Sequence, residues 1–290
     1  NTGFVVGTDG VVVIDTQRST EAARLQLAQI ANVTPKPVKT VIVTHGDPDH
    51  VGGLMAYPAG STIIAHENTR AQILATARAP DGASPFIPTY RAIAAERLPN
   101  KTIGETESVT LDGIAITLLH IAPAHSSGDL VVFLPRQKVV FVGDLLTTGE
   151  ATFPIIHVGG SSEGWIRTMR AILALKADTF VSGHGGLKTR QELRALLQQV
   201  EELRVGDDLD LLEQFLSKET EQRNGVCHYK KDGRRIPILM PVHVLGNICD
   251  MERLMALAAK NNVTVIEDST EALGSYYKGK HAGSFGLMGT

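Results

Sequence analysis

Short apolar runs broken by turn residues open the chain. Phe4-Val5-Val6 and Val11-Val12-Val13-Ile14 are β-branched runs meeting at Asp9-Gly10, which predicts a hairpin. Ser19 and Thr20 are placed to cap a helix through Ala22 to Ala31. Val41 to Thr44 reads as a buried strand, and Thr62 to Ala65 as another, followed by a helix over Asn68 to Arg78. Pro80, Pro85, Pro88 and Pro99 make residues 79–100 an irregular excursion with one short helix around Ala92. Strands are expected at Ile114–Ile121, Leu130–Leu134 and Val139–Val142. A helix (Ser162–Leu175), a strand (Thr179–Ser182) and a helix (Thr189–Leu203) follow. Strands mixed and then alternating with helices predict an α/β sandwich.

The pattern changes near residue 205. Gly206-Asp207-Asp208 begins an acidic, capped helix to Ser217. A polar stretch with Asn224-Gly225 and Asp232-Gly233 comes next, then a strand (Ile238–Leu245), a helix (Asp250–Lys260) and a strand (Val263–Ile266). That strand-helix-strand unit predicts a parallel pair and shares no repeat with the preceding residues. Two domains are therefore expected, over residues 1–203 and 206–290.

Composition narrows the function classes. With 290 residues, 43% hydrophobic and 20% charged, the chain has the composition of a soluble globular protein. A net charge of −3 without a basic stripe gives nucleic-acid binding little support, and a small-molecule substrate is expected instead. No run reaches the roughly 18 apolar residues of a membrane helix, so no membrane partner is expected. The chain opens inside the hairpin pattern with no leader, which predicts a missing N-terminal segment and leaves cytoplasm and periplasm both open. Cys227 and Cys249 make neither a disulfide framework nor a zinc motif, so they are expected to be buried, idle thiols.

Candidate chemistry lies in the first domain. His45, Asp47, Asp49 and His50 fall in one loop, and His125, Asp144 and His184 lie far apart in sequence, each after an expected strand. Strand ends meeting at one sheet edge would bring all seven together. Imidazole and carboxylate suit zinc and similar ions, and seven such ligands suit two ions better than one.

The run Thr44-His-Gly-Asp-Pro-Asp-His-Val-Gly-Gly53 resembles the signature loop of the metallo-β-lactamase superfamily. Pro123-Ala-His-Ser-Ser-Gly-Asp129, Phe141-Val-Gly-Asp144 and Ser182-Gly-His-Gly185 resemble its later motifs, in the same order. The resemblance covers about residues 1–203 and implies an αββα sandwich, here expected to lack its first strands. It implies that His45, residue 47 and His125 hold one metal ion, that Asp49, His50 and His184 hold a second, and that Asp144 bridges them. It further implies a hydrolase in which a metal-bridging hydroxide attacks an ester, thioester, lactone, phosphoester or β-lactam-like amide. Zinc is the first expectation for both ions, with manganese or iron as alternatives. Asp49 is the expected catalytic residue, orienting the nucleophile or passing its proton to the leaving group.

Asp47 departs from the family loop, which commonly carries a second His there. Three carboxylates against two divalent ions and one hydroxide sum to about zero charge, whereas a His would leave about +1. A weaker Lewis acid at the first ion and less attraction for anionic substrates follow. In an alternative arrangement, Asp47 does not ligate and one ion alone binds tightly. Elsewhere, His66 is expected to cap or pack and His120 to sit in the core. Asp129 is expected to bond loop backbone or an imidazole, and Gly52 and Gly53 to allow close packing behind the ligand loop. For His157, in Phe153-Pro-Ile-Ile-His-Val-Gly-Gly160, the sequence weighs evenly for and against a place at the substrate entrance.

The C-terminal residues carry a different resemblance. Pro241-Val-His-Val-Leu-Gly-Asn-Ile-Cys-Asp-Met251, Val265-Ile-Glu-Asp-Ser-Thr-Glu-Ala-Leu-Gly274 and Tyr277-Lys-Gly-Lys-His-Ala-Gly-Ser-Phe-Gly286 are similar to an internal piece of DegT-type sugar-nucleotide aminotransferases. That resemblance implies a partial α/β fragment of a PLP fold-type I aminotransferase. It matches Asp268 to the residue that pairs with the pyridine nitrogen of pyridoxal phosphate. Lys278 and Lys280 do not match the family's Schiff-base lysine, so pyridoxal phosphate is not expected as a cofactor. The alternatives kept open for the whole chain are an inactive aminotransferase fragment and a non-catalytic metal-binding fusion product.

Overall fold

The computed structural model describes residues 1–147, 156–157, 159–204, 209–243, 246, 248–270 and 272–289, the side chains of 199 and 201–204 excepted. Residues 153–155 and 158 of the His157 loop, the expected helix cap at 206–208, and Val244, Leu245 and Asn247 lie outside the described residues. The chain divides into two compact units, 1–197 and 198–290, a few residues before the expected boundary.

In the first unit the hairpin forms as β1 (Gly3–Val6) against β2 (Val11–Ile14). Ser19 caps α1 (Thr20–Val33), its side chain accepting from the Ala22 N–H. β3 (Val38–Ile42), β4 (Thr62–His66) and β5 (Lys101–Ile103) continue the sheet in parallel, with order β1-β2-β3-β4-β5. A short α2 (Pro48–Val51), α3 (Glu67–Ala77) and α4 (Ile87–Glu96) occupy the connections.

A second sheet takes β6 (Glu107–Leu111), β7 (Ile114–Leu119), β8 (Val131–Leu134), β9 (Val139–Thr147), β10 (Thr179–His184) and β11 (Leu187–Lys188), in the order β11-β10-β9-β8-β7-β6. α5 (Ser162–Ala174) and α6 (Arg190–Arg204) complete the expected helices. β5 and β6 were not anticipated. β6 reads Glu-Ser-Val-Thr-Leu, half-buried and half-exposed in alternation, and is too polar to stand out as an apolar run.

Side-chain alternation along β2 explains the layering. Val11 and Val13 pack with Ala23, Ile30, Ile73 and Ile93 of the helices. Val12 and Ile14 face the other way, into a core shared with Ile116, Leu118 and Val132 of the second sheet. Behind the second sheet, Trp165, Met169 and Ile172 of α5 are buried, and the Trp165 indole N–H donates to the Leu145 carbonyl (2.7 Å). The result is the expected αββα sandwich, which places the C-terminal ends of β2, β3, β4, β9 and β10 along one edge.

The second unit holds α7 (Leu209–Lys218), β12 (Thr220–Arg223), β13 (Val226–Tyr229), β14 (Ile238–Leu239), α8 (Met251–Lys260), β15 (Thr264–Glu267), β16 (Tyr276–Tyr277), β17 (Lys280–His281) and β18 (Met288–Gly289). β14 and β15 are parallel, as the strand-helix-strand pattern predicts, and β18 adds a third parallel strand. Asn224-Gly225, expected within a polar stretch, instead turns the β12–β13 hairpin, with Asn224 at φ 52°. Among the described residues of the strand expected through Leu245, Ile238–Leu239 is the regular part. Pro241 lacks the N–H needed to continue the ladder. Single bonds from Asp268 N–H to the Pro241 carbonyl and from His243 N–H to the Asp268 carbonyl keep the segment alongside β15. Cys227 and Cys249 are buried thiols in the core of this unit, not joined in a disulfide, and Cys249 Sγ–H donates to Met251 Sδ at 3.5 Å.

Candidate metal centre

Two groups of side chains meet at the strand-end edge. His45, Asp47, His125 and Asp144 have ligand atoms within 4.8 Å of one another, and so do Asp49, His50, Asp144 and His184. The fold brings together all seven residues singled out in the sequence, in two quartets that share Asp144. The first quartet is buried, whereas Asp49 is half-buried and His184 exposed, so the second quartet faces solvent.

Local structure explains the convergence. The loop after β3 turns into α2 at Pro48, which offers no N–H where a helix start would leave one unpaired. Tyr90 O–H donates to the Gly46 carbonyl (2.7 Å) and anchors the loop from α4. A Cβ on Gly53 would lie 1.8 Å from the Thr16 carbonyl oxygen, so only glycine lets α2 end against that backbone. Asp144 and His184 lie within β9 and β10 rather than in loops after them, because both strands run further than their apolar cores suggest. Register shifts between these strands at Ser182 and His184 aim both side chains at the edge. A Cβ on Gly183 would sit 1.8 Å from Asp144 Oδ1, so the carboxylate occupies the space glycine leaves.

His50 Nε2 lies 3.1 Å from Asp144 Oδ1 and 3.5 Å from Asp49 Oδ2. His184 Nε2 is 2.9 Å from Asp49 Oδ2 and 3.2 Å from Asp144 Oδ2. On the other side, Asp47 Oδ2 is 3.2 Å from His125 Nε2 and 3.6 Å from His45 Nε2. Burial would push the Asp47 carboxyl up, but hydrogen bonds from His125 and His157 and the neighbouring His45 imidazole outweigh it and hold the group far below the usual carboxylate range. Asp144 behaves the same way: burial raises it, and His50, His45 and His125 more than compensate. Burial lowers His50, yet Asp15 and Asp144 raise it to about 10.

These residues fit divalent cations. His45 Nε2, His50 Nε2 and Asp144 Oδ1 are buried and make no well-oriented hydrogen bond, a costly condition that a bound ion would relieve. Protons on the imidazoles and cations compete for the same lone pairs, so metal binding here releases protons.

Asp15 is the member that sequence reasoning missed. It is buried, and its Oδ2 lies 2.8 Å from His50 Nδ1 and accepts from Thr44 Oγ1–H at 2.8 Å, while Oδ1 accepts from the Thr44 N–H at 2.8 Å. Thr44 Oγ1 is in turn 3.0 Å from His45 Nδ1. One carboxylate thus orients two imidazoles. The available signal was an acidic residue directly after a four-residue, wholly buried strand.

Of the remaining candidates, His66 caps α3, its Nδ1 accepting from the Asn68 N–H, and stacks on His120 at 3.8 Å between ring centroids. His120 Nδ1 is 2.8 Å from the Asp129 carbonyl oxygen. Asp129 accepts from the backbone of Ala124 and Ser126 and steadies the His125 loop. His157 reaches the centre, with Nδ1 2.8 Å from Asp47 Oδ2. In the second unit, Asp268 Oδ1 accepts from Thr270 Oγ1–H (2.7 Å), and Lys278 Nζ pairs with Glu252 at 2.6 Å.

The sequence profile of the metallo-β-lactamase superfamily matches residues 1–184. The chain belongs to that superfamily. A metallo-β-lactamase from Pontibacter korlensis shares the fold, with a TM-score of 0.56 at 22% identity over 68% of this chain and 85% of that one. Among curated relatives, the 2,4-dinitroanisole O-demethylase subunit alpha of Nocardioides sp. (strain JS1661) is 31% identical over 71% of this chain and 61% of its own length. A linear primary-alkylsulfatase of Pseudomonas sp. is 22% identical over 61% of this chain and 40% of its own. The chain thus spans less than two thirds of the length of either relative. Residues 233–290 match the DegT/DnrJ/EryC1/StrS aminotransferase family. GDP-perosamine synthase of Caulobacter vibrioides is 48% identical over 19% of this chain and 15% of its own length. The metallo-β-lactamase match and the DegT match thus fall on different compact units.

Proposed function

We propose that residues 1–197 form a two-metal hydrolase for a neutral small molecule carrying an ester, thioester, lactone or amide bond. The observation that carries this reading is the pair of quartets sharing Asp144. Divalent ions held there supply a water acidic enough to act as a nucleophile near neutral pH, together with Lewis-acid polarisation of the substrate. Zinc suits the imidazole-rich donor set, and the carboxylate at Asp47 widens the choice toward manganese or iron.

The chain's own residues divide the remaining work. His45, Asp47 and His125 would hold one ion and Asp49, His50 and His184 the other, with Asp144 within reach of both. Asp49 is partly open to solvent on the side where His184 is exposed, which suits it to orient water and hand a proton to the leaving group. The buried first quartet excludes solvent, and the exposed second quartet is the side from which substrate enters.

Three carboxylates bring the loaded centre to about zero charge, which favours neutral substrates over anionic ones. The names of the two relatives add an aryl methyl ether and an alkyl sulfate to the substrates worth assaying, and the charge argument ranks the neutral ether first. The test is hydrolysis of nitrocefin, a thioester, a lactone, a p-nitrophenyl ester, 2,4-dinitroanisole and an alkyl sulfate, before chelation, after it, and after zinc is restored. Turnover of a neutral substrate that disappears with chelation and returns with zinc supports the proposal. Chelator-insensitive turnover, or none in any state, contradicts it.

A further inference from the structure

Three imidazole nitrogens converge on a single oxygen, Asp47 Oδ2. His45 Nε2 and His125 Nε2 approach at 3.6 and 3.2 Å, and both belong to the first quartet. The shortest approach, 2.8 Å, is from Nδ1 of His157, which belongs to neither quartet. Although His157 is half-exposed, its backbone is tied down. Its N–H donates to the His125 carbonyl (2.7 Å), Gly160 N–H donates back to the His157 carbonyl (2.9 Å), and Ser161 N–H donates to the Ala124 carbonyl (2.9 Å). The His157 ring lies 4.3 Å from the His125 ring. The segment bearing His157 and the loop bearing His125 are therefore held together, and both present imidazoles to Asp47.

A second observation concerns Asp47 itself. It occupies the N-cap of α2, where an aspartate ordinarily accepts from the backbone N–H groups of the first turn, yet its side chain makes no such bond. Something must hold the carboxylate turned away from the helix and toward the first quartet. His45 is oriented by Thr44 and His50 by Asp15, and Asp47 needs an equivalent. A carboxylate has two equivalent oxygens and rotates where an imidazole of fixed tautomer does not, so the need is greater at this ligand than at a histidine.

We propose that His157 is the positioning residue for Asp47, donating from Nδ1 to Oδ2 and keeping the carboxylate in the first metal site. The inference rests on the reading of Asp47 as a metal ligand.

The test is zinc affinity of the full chain by chelator competition, with Trp165 fluorescence and far-ultraviolet circular dichroism confirming the fold of each variant. His157→Ala is expected to weaken the first-site ion about 10- to 100-fold while sparing the second. His157→Gln, which keeps an N–H donor, is expected to recover most of that loss. With Asp47→His as background, His157→Ala is expected to change affinity less than about 2-fold, because the partner it positions is gone. Unchanged affinity in His157→Ala overturns the inference, and so does an undiminished loss in the Asp47→His background, which would mean that His157 acts without Asp47. Asp47→Ala separates the two levels. If it leaves zinc affinity intact, the ligand reading of Asp47 fails; if it weakens binding while His157→Ala does not, only the positioning role fails.

Discussion

His50 Nδ1 lies 2.8 Å from Asp15 Oδ2, and the same carboxylate takes both the N–H and the O–H of Thr44. A buried aspartate at the end of β2 thereby fixes the direction in which His50 Nε2 points, toward Asp49 and Asp144. Asp15→Ala is expected to weaken binding of the second ion about 10- to 100-fold. It also leaves buried donors on Thr44 and His50 unpaired, at a cost of about 1–3 kcal/mol. Zinc competition and a denaturant melt of the same variant check the two effects. Unchanged metal affinity would show that His50 needs no such partner.

Gly53→Ala is expected to destabilise the first unit by about 3 kcal/mol, since its new methyl meets the Thr16 carbonyl and the ligand loop must shift to admit it. Trp165 is the chain's one tryptophan and is buried in the first unit. Its fluorescence therefore follows this unfolding without interference from the second unit. A midpoint equal to the parent's would show that the loop yields freely.

Asp47→His raises the charge of the loaded centre from about zero to about +1. The expected outcome is a lower KM for anionic esters relative to neutral ones of the same leaving group, and the comparison is read as a ratio of kcat/KM values. An unchanged ratio would mean that the charge at residue 47 does not reach the substrate.

In the second unit, Glu267 accepts from the N–H groups of Gly283 (2.9 Å), Phe285 (2.6 Å) and Gly286 (2.6 Å), and lies 3.1 Å from His243 Nε2. Burial raises its pKa, but the Gly286, His243, Gly283 and Phe285 donors outweigh burial and lower it overall. A carboxylate depressed in the folded state contributes stability that is present above its unfolded pKa, about 4.3. That stability is lost as pH falls through the lower folded value. Protection factors at the β15 amides, taken relative to the intrinsic exchange rate at each pH, should therefore fall on acidification below about pH 4.3 in the parent. Glu267→Gln should show less of this pH dependence, and equal dependence in both would assign the acid lability elsewhere.

The ligand loop was legible because it is local: His45, Asp47, Asp49 and His50 fall within six residues, directly after an apolar run. His125, Asp144 and His184 are joined to it by their places after expected strands and by the ordered motifs of the resemblance, since spacing along the chain does not by itself encode which strand ends meet. The outer partners were less visible. Asp15 is one acidic residue at a strand end, and only the parallel pairing of β2 with β3 brings it beside Thr44. His157 was noticed as a loop histidine, but its contact with Asp47 depends on backbone bonds to the His125 loop. Long helices such as α1 and α8 agree with their patterns, because caps at Ser19 and Asp250 mark their starts. The strand expected through Leu245 fails where Pro241 removes a donor, and β6 escapes notice because half of its face is polar.

If two divalent ions share Asp144, as proposed, both sites depend on its carboxylate. The most direct measurement is metal content per chain by mass spectrometry of the metal-reconstituted protein, parent against Asp144→Ala. Two ions per parent chain, with tight binding lost at both positions in Asp144→Ala, is the result expected here. A parent chain that stays metal-free after zinc dialysis, or one whose two ions survive the loss of Asp144, would contradict it.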